Sequence, residues 1–144
     1  MGERLEGRSA IVTGAGQGIG RGIARALASD GALVVLAGRT LEKLESVATE
    51  IRSDGGDAIA VVCDVEVRSQ VDHLVEQTVA AYGGLSILIN NAQSFVFRTL
   101  EEMTEDALAV AYRSGPIGTF HLMQASLPHL KAAGNGLAAE FFLQ

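Results

Sequence analysis

The sequence predicts an α/β fold in which a parallel, doubly wound sheet carries helices on both faces. Three observations predict it. Short aliphatic runs alternate with longer segments at helical spacing along most of the 144 residues. The runs are apolar almost without interruption, as in strands buried on both faces. Turn signals separate the segments at Asp30-Gly31, Asp54-Gly55-Gly56 and Gly83-Gly84.

The predicted strands are residues 9–13, 33–37, 58–63 and 85–90. Between the first two, Ile19, Ile23, Ala26 and Leu27 recur on one helical face. A second face is formed by Leu41, Leu44, Val47, Ala48 and Ile51, behind a capped start at Thr40 with Glu42 and Glu45. A third carries Val67, Val71, Leu74, Val75, Thr78 and Val79. A fourth helical region starts near Thr104. Its Leu108, Val110, Ile117, Phe120, Leu122, Met123 and Leu127 make it apolar around much of its circumference, which predicts core packing. Gly115-Pro116 falls inside it and predicts a kink or break, because proline lacks the N–H and clashes with the preceding turn. The order is βαβαβαβα, about four strands, with right-handed crossovers. No linker or second domain is visible.

Composition excludes several classes. Apolar residues make up 48% and charged residues 19%, the balance of a globular chain. A net charge of −6 argues against nucleic acid or an anionic membrane as partner. No run approaches the ~18 apolar residues of a membrane span. Cys63 is the one cysteine, so no internal disulfide forms, which fits a cytoplasmic protein. The charged start Met1-Gly2-Glu3-Arg4 leads straight into the predicted fold, so no secretory signal is expected. His73, His121 and His129 fall on helical segments without metal-ligand spacing, so no metal site is expected.

The segment Thr13-Gly14-Ala15-Gly16-Gln17-Gly18-Ile19-Gly20 follows the first strand and opens the first helix. A strand, a tight glycine turn and a helix N-terminus in that order make a site for a pyrophosphate. Gly14 lets the chain turn, Gly18 lets the backbone approach phosphate oxygens, and Gly20 lets the helix pack closely. Unpaired N–H groups at the helix start, those of Gln17, Gly18 and Ile19 among the candidates, offer donors to the anion.

From about Leu5 to Lys131 the chain resembles the short-chain dehydrogenase/reductase family. The glycine segment matches the family's Thr-Gly-x-x-x-Gly-x-Gly pattern. Asp64-Val65 follows the third strand, Asn90-Asn91-Ala92 the fourth, and Gly118-Thr119-Phe120 lies in the fourth helical region. The resemblance implies a Rossmann-type fold and an NAD(P)(H)-dependent oxidoreductase acting on an alcohol or carbonyl. It implies cofactor contacts at Gly14, Gln17, Gly18, Ile19, Gly20, Arg39, Asp64, Val65, Asn90 and Ala92. Asp64 would accept from the adenine amino group, or cap the segment beginning at Glu66. Asn90 would hold the sheet near the cofactor ribose. Gly38 stands where NAD-preferring relatives carry Asp, and the adjacent Arg39 would pair with a 2′-phosphate, so NADP(H) is favoured over NAD(H).

The chain also departs from the family. Gln93 replaces the glycine that ends the Asn-Asn-Ala-Gly motif and would crowd the cofactor. Gly115 replaces the helix asparagine that holds a relay water. The family's proton donor is a Tyr-x-x-x-Lys pair beyond a serine on the fifth strand. Here neither Tyr82 nor Tyr112 has a lysine four residues on, so no catalytic residue is assigned. Residues 137–144 do not resemble the fifth strand. The sequence therefore predicts a partial dinucleotide-binding domain over residues 1–136 and an atypical tail over 137–144, with the fourth strand's outer edge open. Such a chain is expected to be marginal alone, to form a homo-oligomer, or to be completed by another chain. The alternatives to the enzyme reading are a non-catalytic nucleotide-binding module and an inactive truncated remnant.

Overall fold

The computed structural model describes residues 2–140. The elements run β1 (Ser9–Thr13), α1 (Gly18–Ser29), β2 (Leu33–Gly38), α2 (Leu41–Ser53), β3 (Asp57–Val62), α3 (Arg68–Tyr82), β4 (Ile87–Asn90), α4 (Glu105–Tyr112), a π-helical turn (Arg113–Ile117), α5 (Gly118–Ala132) and β5 (Leu137–Glu140). Among the described residues the strands form one sheet in the order β3-β2-β1-β4-β5, and every pairing is parallel.

Alternation along the strands divides the core in two. Ala10, Val12, Val34 and Leu36 face one side and meet Ala24, Leu44, Val47, Ala48 and Ile51 of α1 and α2. Ile11 and Val35 face the other and meet Val71, Leu74, Val75 and Leu122 of α3 and α5. Both faces of the central strands are thus covered, which is why their sequences are apolar without alternation.

Four expectations are corrected. The outer edge of β4 is not open: β5 pairs with it over Ile87↔Leu137 to Asn90↔Glu140. The lead-in is held by Leu137 N–H on Ser86 O at 2.9 Å and Arg8 Nη2 on Asn135 O at 2.6 Å. The sheet therefore has five strands rather than four. The segment Leu-Ala-Ala-Glu lacks β-branched residues, and backbone pairing supplies what side-chain pattern does not. Residues 141–144 of the expected tail lie outside the described residues.

At Gly115-Pro116, where a kink or break is expected, the helix runs on through a π-helical turn, with Tyr112 and Gly118 on either side in right-handed helical conformation. A π-spaced N–H at position 116 would reach the Ala111 carbonyl, and Pro116 has none. Ser114 Oγ stands 3.3 Å from that carbonyl. The region is not wholly core, however. Leu122 is fully buried against the sheet, whereas Leu108, Phe120, Met123 and Leu127 stay about half exposed or more.

Thr40 occupies the N-cap position of α2, but its side chain makes no capping bond. Asp64 likewise does not cap a helix at Glu66. Its Oδ1 accepts the Glu66 N–H at 3.0 Å, closing a two-residue turn ahead of α3, whose first residue is Arg68.

Candidate dinucleotide site

The strand order reverses between β1 and β4, and a crevice opens beyond the C-terminal ends of the strands. A cavity of about 340 Å³ lies there. Its walls come from the glycine turn, the β2–α2 junction, the segment after β3, the segment after β4, and Ser114.

The glycine turn is built by close approach. Gly14 has φ +62°, and a Cβ there would lie 2.9 Å from Asn91 Nδ2 and 3.1 Å from Ala92 Cα. A Cβ on Gly20 would run into the Gly14 carbonyl. The first turn of α1 therefore seats on the turn that precedes it, and only glycine fits at either position. Gly18 has φ +57° and no neighbour within 4 Å, so its backbone is open.

Two side chains stitch the β4 loop to β1. Thr13 Oγ1 accepts from the Asn91 and Ala92 N–H groups at 3.0 and 2.9 Å. Asn91 Nδ2 donates to the Thr13 and Gly14 carbonyls, each at 3.2 Å. The tie expected at Asn90 is thus made by Asn91. Asn90 is the last residue of β4, buried and in register with Glu140. Asn91 lies past the strand end, where its side chain turns onto the glycine turn.

Of the residues anticipated from the sequence, Gly14, Gln17, Gly18, Ile19, Arg39, Asp64, Val65 and Ala92 line the cavity. Gly20 and Asn90 stand behind it as supports. Gln93, expected to crowd the cofactor, also lines the cavity, whereas sequence reasoning assigned no site role to Thr13, Lys43, Asn91, Ser94 and Ser114. Thr13 and Asn91 lie within the recognised motifs and were within reach of motif reading. Lys43 and Ser114 sit on helices and join the site only through the fold.

Charge is divided across the cavity. Arg39 and Lys43 lie on the β2–α2 side, Asp64 and Glu66 on the β3–α3 side. Glu66 is paired with Arg113 at 3.2 Å. Cys63, buried at the cavity floor, has its thiol pushed up to about 11 by burial, with the Asp64 charge adding to the shift. His121 Nδ1 sits 2.9 Å from the Val65 carbonyl and fixes the segment after β3.

The comparisons with known proteins bear on this geometry. The family model for short chain dehydrogenases matches residues 8–139. The chain belongs to the short chain dehydrogenase family. An uncharacterized oxidoreductase of Methylorubrum extorquens is 39% identical over 133 residues, which is 92% of this chain and 54% of that protein. A versicolorin reductase of Emericella nidulans is 38% identical over 132 residues, 91% of this chain and 50% of that protein. The chain thus spans about half the length of these relatives.

Solved structures agree with the fold. A 7α-hydroxysteroid dehydrogenase in complex with NADH and 7-oxo glycochenodeoxycholic acid superposes with a TM-score of 0.90 at 33% identity, covering 96% of this chain and 54% of that one. An alcohol dehydrogenase from Thermococcus sibiricus, in complex with 5-hydroxy-NADP, gives 0.86 at 31% identity, covering 92% and 57%. The chain shares the Rossmann-like sheet of these structures.

Neither tyrosine of this short chain dehydrogenase lines the cavity. The Tyr82 hydroxyl donates to Asp57 Oδ1 at 2.8 Å. Asp57 is the first residue of β3, at the opposite end of the sheet. Tyr112 is largely exposed on α4.

Proposed function

We propose that this chain forms the adenine, ribose and pyrophosphate side of an NADP(H)-dependent short-chain oxidoreductase that acts on an alcohol or carbonyl. The observation that carries this reading is the cradle at Gly14, Gly18 and Gly20. A Cβ would fill it at Gly14 or Gly20, and it opens onto a cavity large enough for part of a dinucleotide. The residues fit the group. The N–H groups of the glycine turn and the α1 start would hold the pyrophosphate. Asp64 and the Val65 backbone would meet the adenine, and Ala92 would leave room beside it. When bound, the nicotinamide would supply the hydride-transfer centre.

The preference for NADP(H) rests on the end of β2. No carboxylate stands at Gly38, and a side chain there would press on Leu44, whose Cδ2 lies 3.2 Å from a built Cβ. Arg39 next to it is exposed and lines the cavity. A guanidinium in that place attracts a 2′-phosphate, whereas a carboxylate would repel it.

A second reading, a non-catalytic nucleotide-binding module, is supported by the placement of Tyr82 and Tyr112 away from the cavity. The exposed apolar residues Leu108, Tyr112, Phe120, Met123 and Leu127 favour assembly with a second copy or a complementing chain. A cytoplasmic setting fits the lone reduced Cys63. Among the described residues no helix is long and apolar enough to cross a membrane. Titration of the purified chain with NADPH and NADH, read by calorimetry and melting temperature, tests the proposal. Micromolar NADPH binding that weakens in Arg39→Ala supports it, and absence of binding to either nucleotide overturns it.

A further inference from the structure

Lys43 is the second charged group at the β2–α2 side of the cavity, and its placement depends on the fold. It lies in the first turns of α2, yet its Nζ reaches back to Gln17 Oε1 at 2.8 Å, on the glycine turn. The approach is close along the stem too: a Cβ on Gly16 would stand 3.0 Å from Lys43 Cβ. The lysine thus ties the glycine turn to the β2–α2 wall, which also carries Arg39.

The ion-pair pattern points the same way. Arg4, Arg21, Arg25, Arg52, Arg68 and Arg113 each pair with a carboxylate. Arg8, Arg39, Lys43, Arg98 and Lys131 show no carboxylate partner among the described residues, and of these five Arg39 and Lys43 line the cavity, in a chain of net charge −6. An ammonium has three donors. Gln17 takes one, which fixes the direction of the side chain while leaving the charge uncompensated and the other donors available to an anion.

We infer that Lys43 is a specificity-determining residue for a phosphomonoester on the adenosine ribose, acting with Arg39, and that Gln17 is the positioning residue that holds its ammonium over the cavity. This inference rests on the proposed dinucleotide reading. The two cations have different duties. Arg39 presents a planar fork at the strand end, and Lys43 a point charge carried in from the helix.

The test compares wild type, Lys43→Gln and Lys43→Arg for binding of NADPH, NADH, adenosine 2′,5′-bisphosphate and 5′-AMP at low salt. Circular dichroism and melting temperature establish that each variant is folded. Lys43→Gln is expected to weaken NADPH and the 2′,5′-bisphosphate roughly three- to tenfold, the effect of one partly solvated charge. NADH and 5′-AMP should change less than twofold, Lys43→Arg should restore the preference, and salt should shrink the difference. An equal effect on phosphorylated and unphosphorylated ligands, or none on either, overturns the role of Lys43 while leaving the dinucleotide reading intact. Wild type that binds none of the four ligands overturns both.

Discussion

Gln93 lies over Gly115: a Cβ built on Gly115 would stand 3.2 Å from Gln93 Nε2 and 3.5 Å from Gln93 Cδ. These two positions are the ones at which the sequence departs most from its family's pattern around the cavity, and the structure brings them together. The side chain gained on the β4 loop occupies space that a side chain on the π-helical turn would need. Gln93 thus packs toward Gly115 while also lining the cavity.

The pair should therefore behave as a unit. Gly115→Asn is expected to destabilise the chain by about 1–2 kcal/mol through overpacking. Adding Gln93→Gly should recover most of that loss, giving a coupling of about 1 kcal/mol in a double-mutant cycle followed by urea unfolding. Additive losses would show that the two side chains do not compete.

The glycine cradle makes a sharper demand. In Gly20→Ala the new methyl meets the Gly14 carbonyl, a backbone atom that cannot move without opening the turn. Stability is expected to fall by about 1–3 kcal/mol, and NADPH binding to fall at least tenfold. Gly22→Ala is the control, since no atom lies within 4 Å of its built Cβ. It should gain a few tenths of a kcal/mol from helix propensity.

Gly38→Asp tests the selectivity of the β2 end. Its carboxylate would face the ribose beside Arg39 and is expected to weaken NADPH by more than tenfold while leaving or improving NADH. Leu44 must yield by a few tenths of an ångström, and the melting temperature should fall by a few degrees.

Ser114 ties the π-helical turn to the β4 loop. Its Oγ accepts the Ser94 N–H at 2.8 Å and has the Ser94, Val110 and Ala111 carbonyls within reach of its one proton. Ser114→Ala leaves that amide without a partner and should cost about 1–2 kcal/mol. Hydrogen exchange at Ser94 should quicken more than at core amides such as Ile11.

Cys63 supplies a pH signature. Its thiol is raised from 9.0 to about 11 in the folded chain, so the folded state holds the proton more tightly than the unfolded one. Its contribution is complete below pH 9 and is lost as pH rises through about 11, at up to about 1.4 kcal/mol per pH unit. Tyr82, also raised by burial and by Asp57, acts in the same direction at higher pH. Cys63→Ala should flatten the decline between pH 9 and 11 in urea titrations, and the wild-type thiol should alkylate slowly at pH 7.5.

By itself the sequence determined the parallel sheet, the first four strands, the glycine turn and the irregular helix geometry at Gly115-Pro116. Each is written in local terms: apolar runs, helical period, and residues whose backbone freedom or missing N–H leaves no alternative. Tertiary structure alone decided the rest. β5 exists because β4 offers unpaired backbone groups, a demand invisible in the alanine-rich Leu137–Glu140 segment. Asn91 replaces Asn90 as the stitch because the strand ends between them. Lys43 reaches Gln17, and Gln93 covers Gly115, across 26 and 22 residues of chain. Such contacts depend on how helices seat against the sheet, and no local pattern encodes that distance.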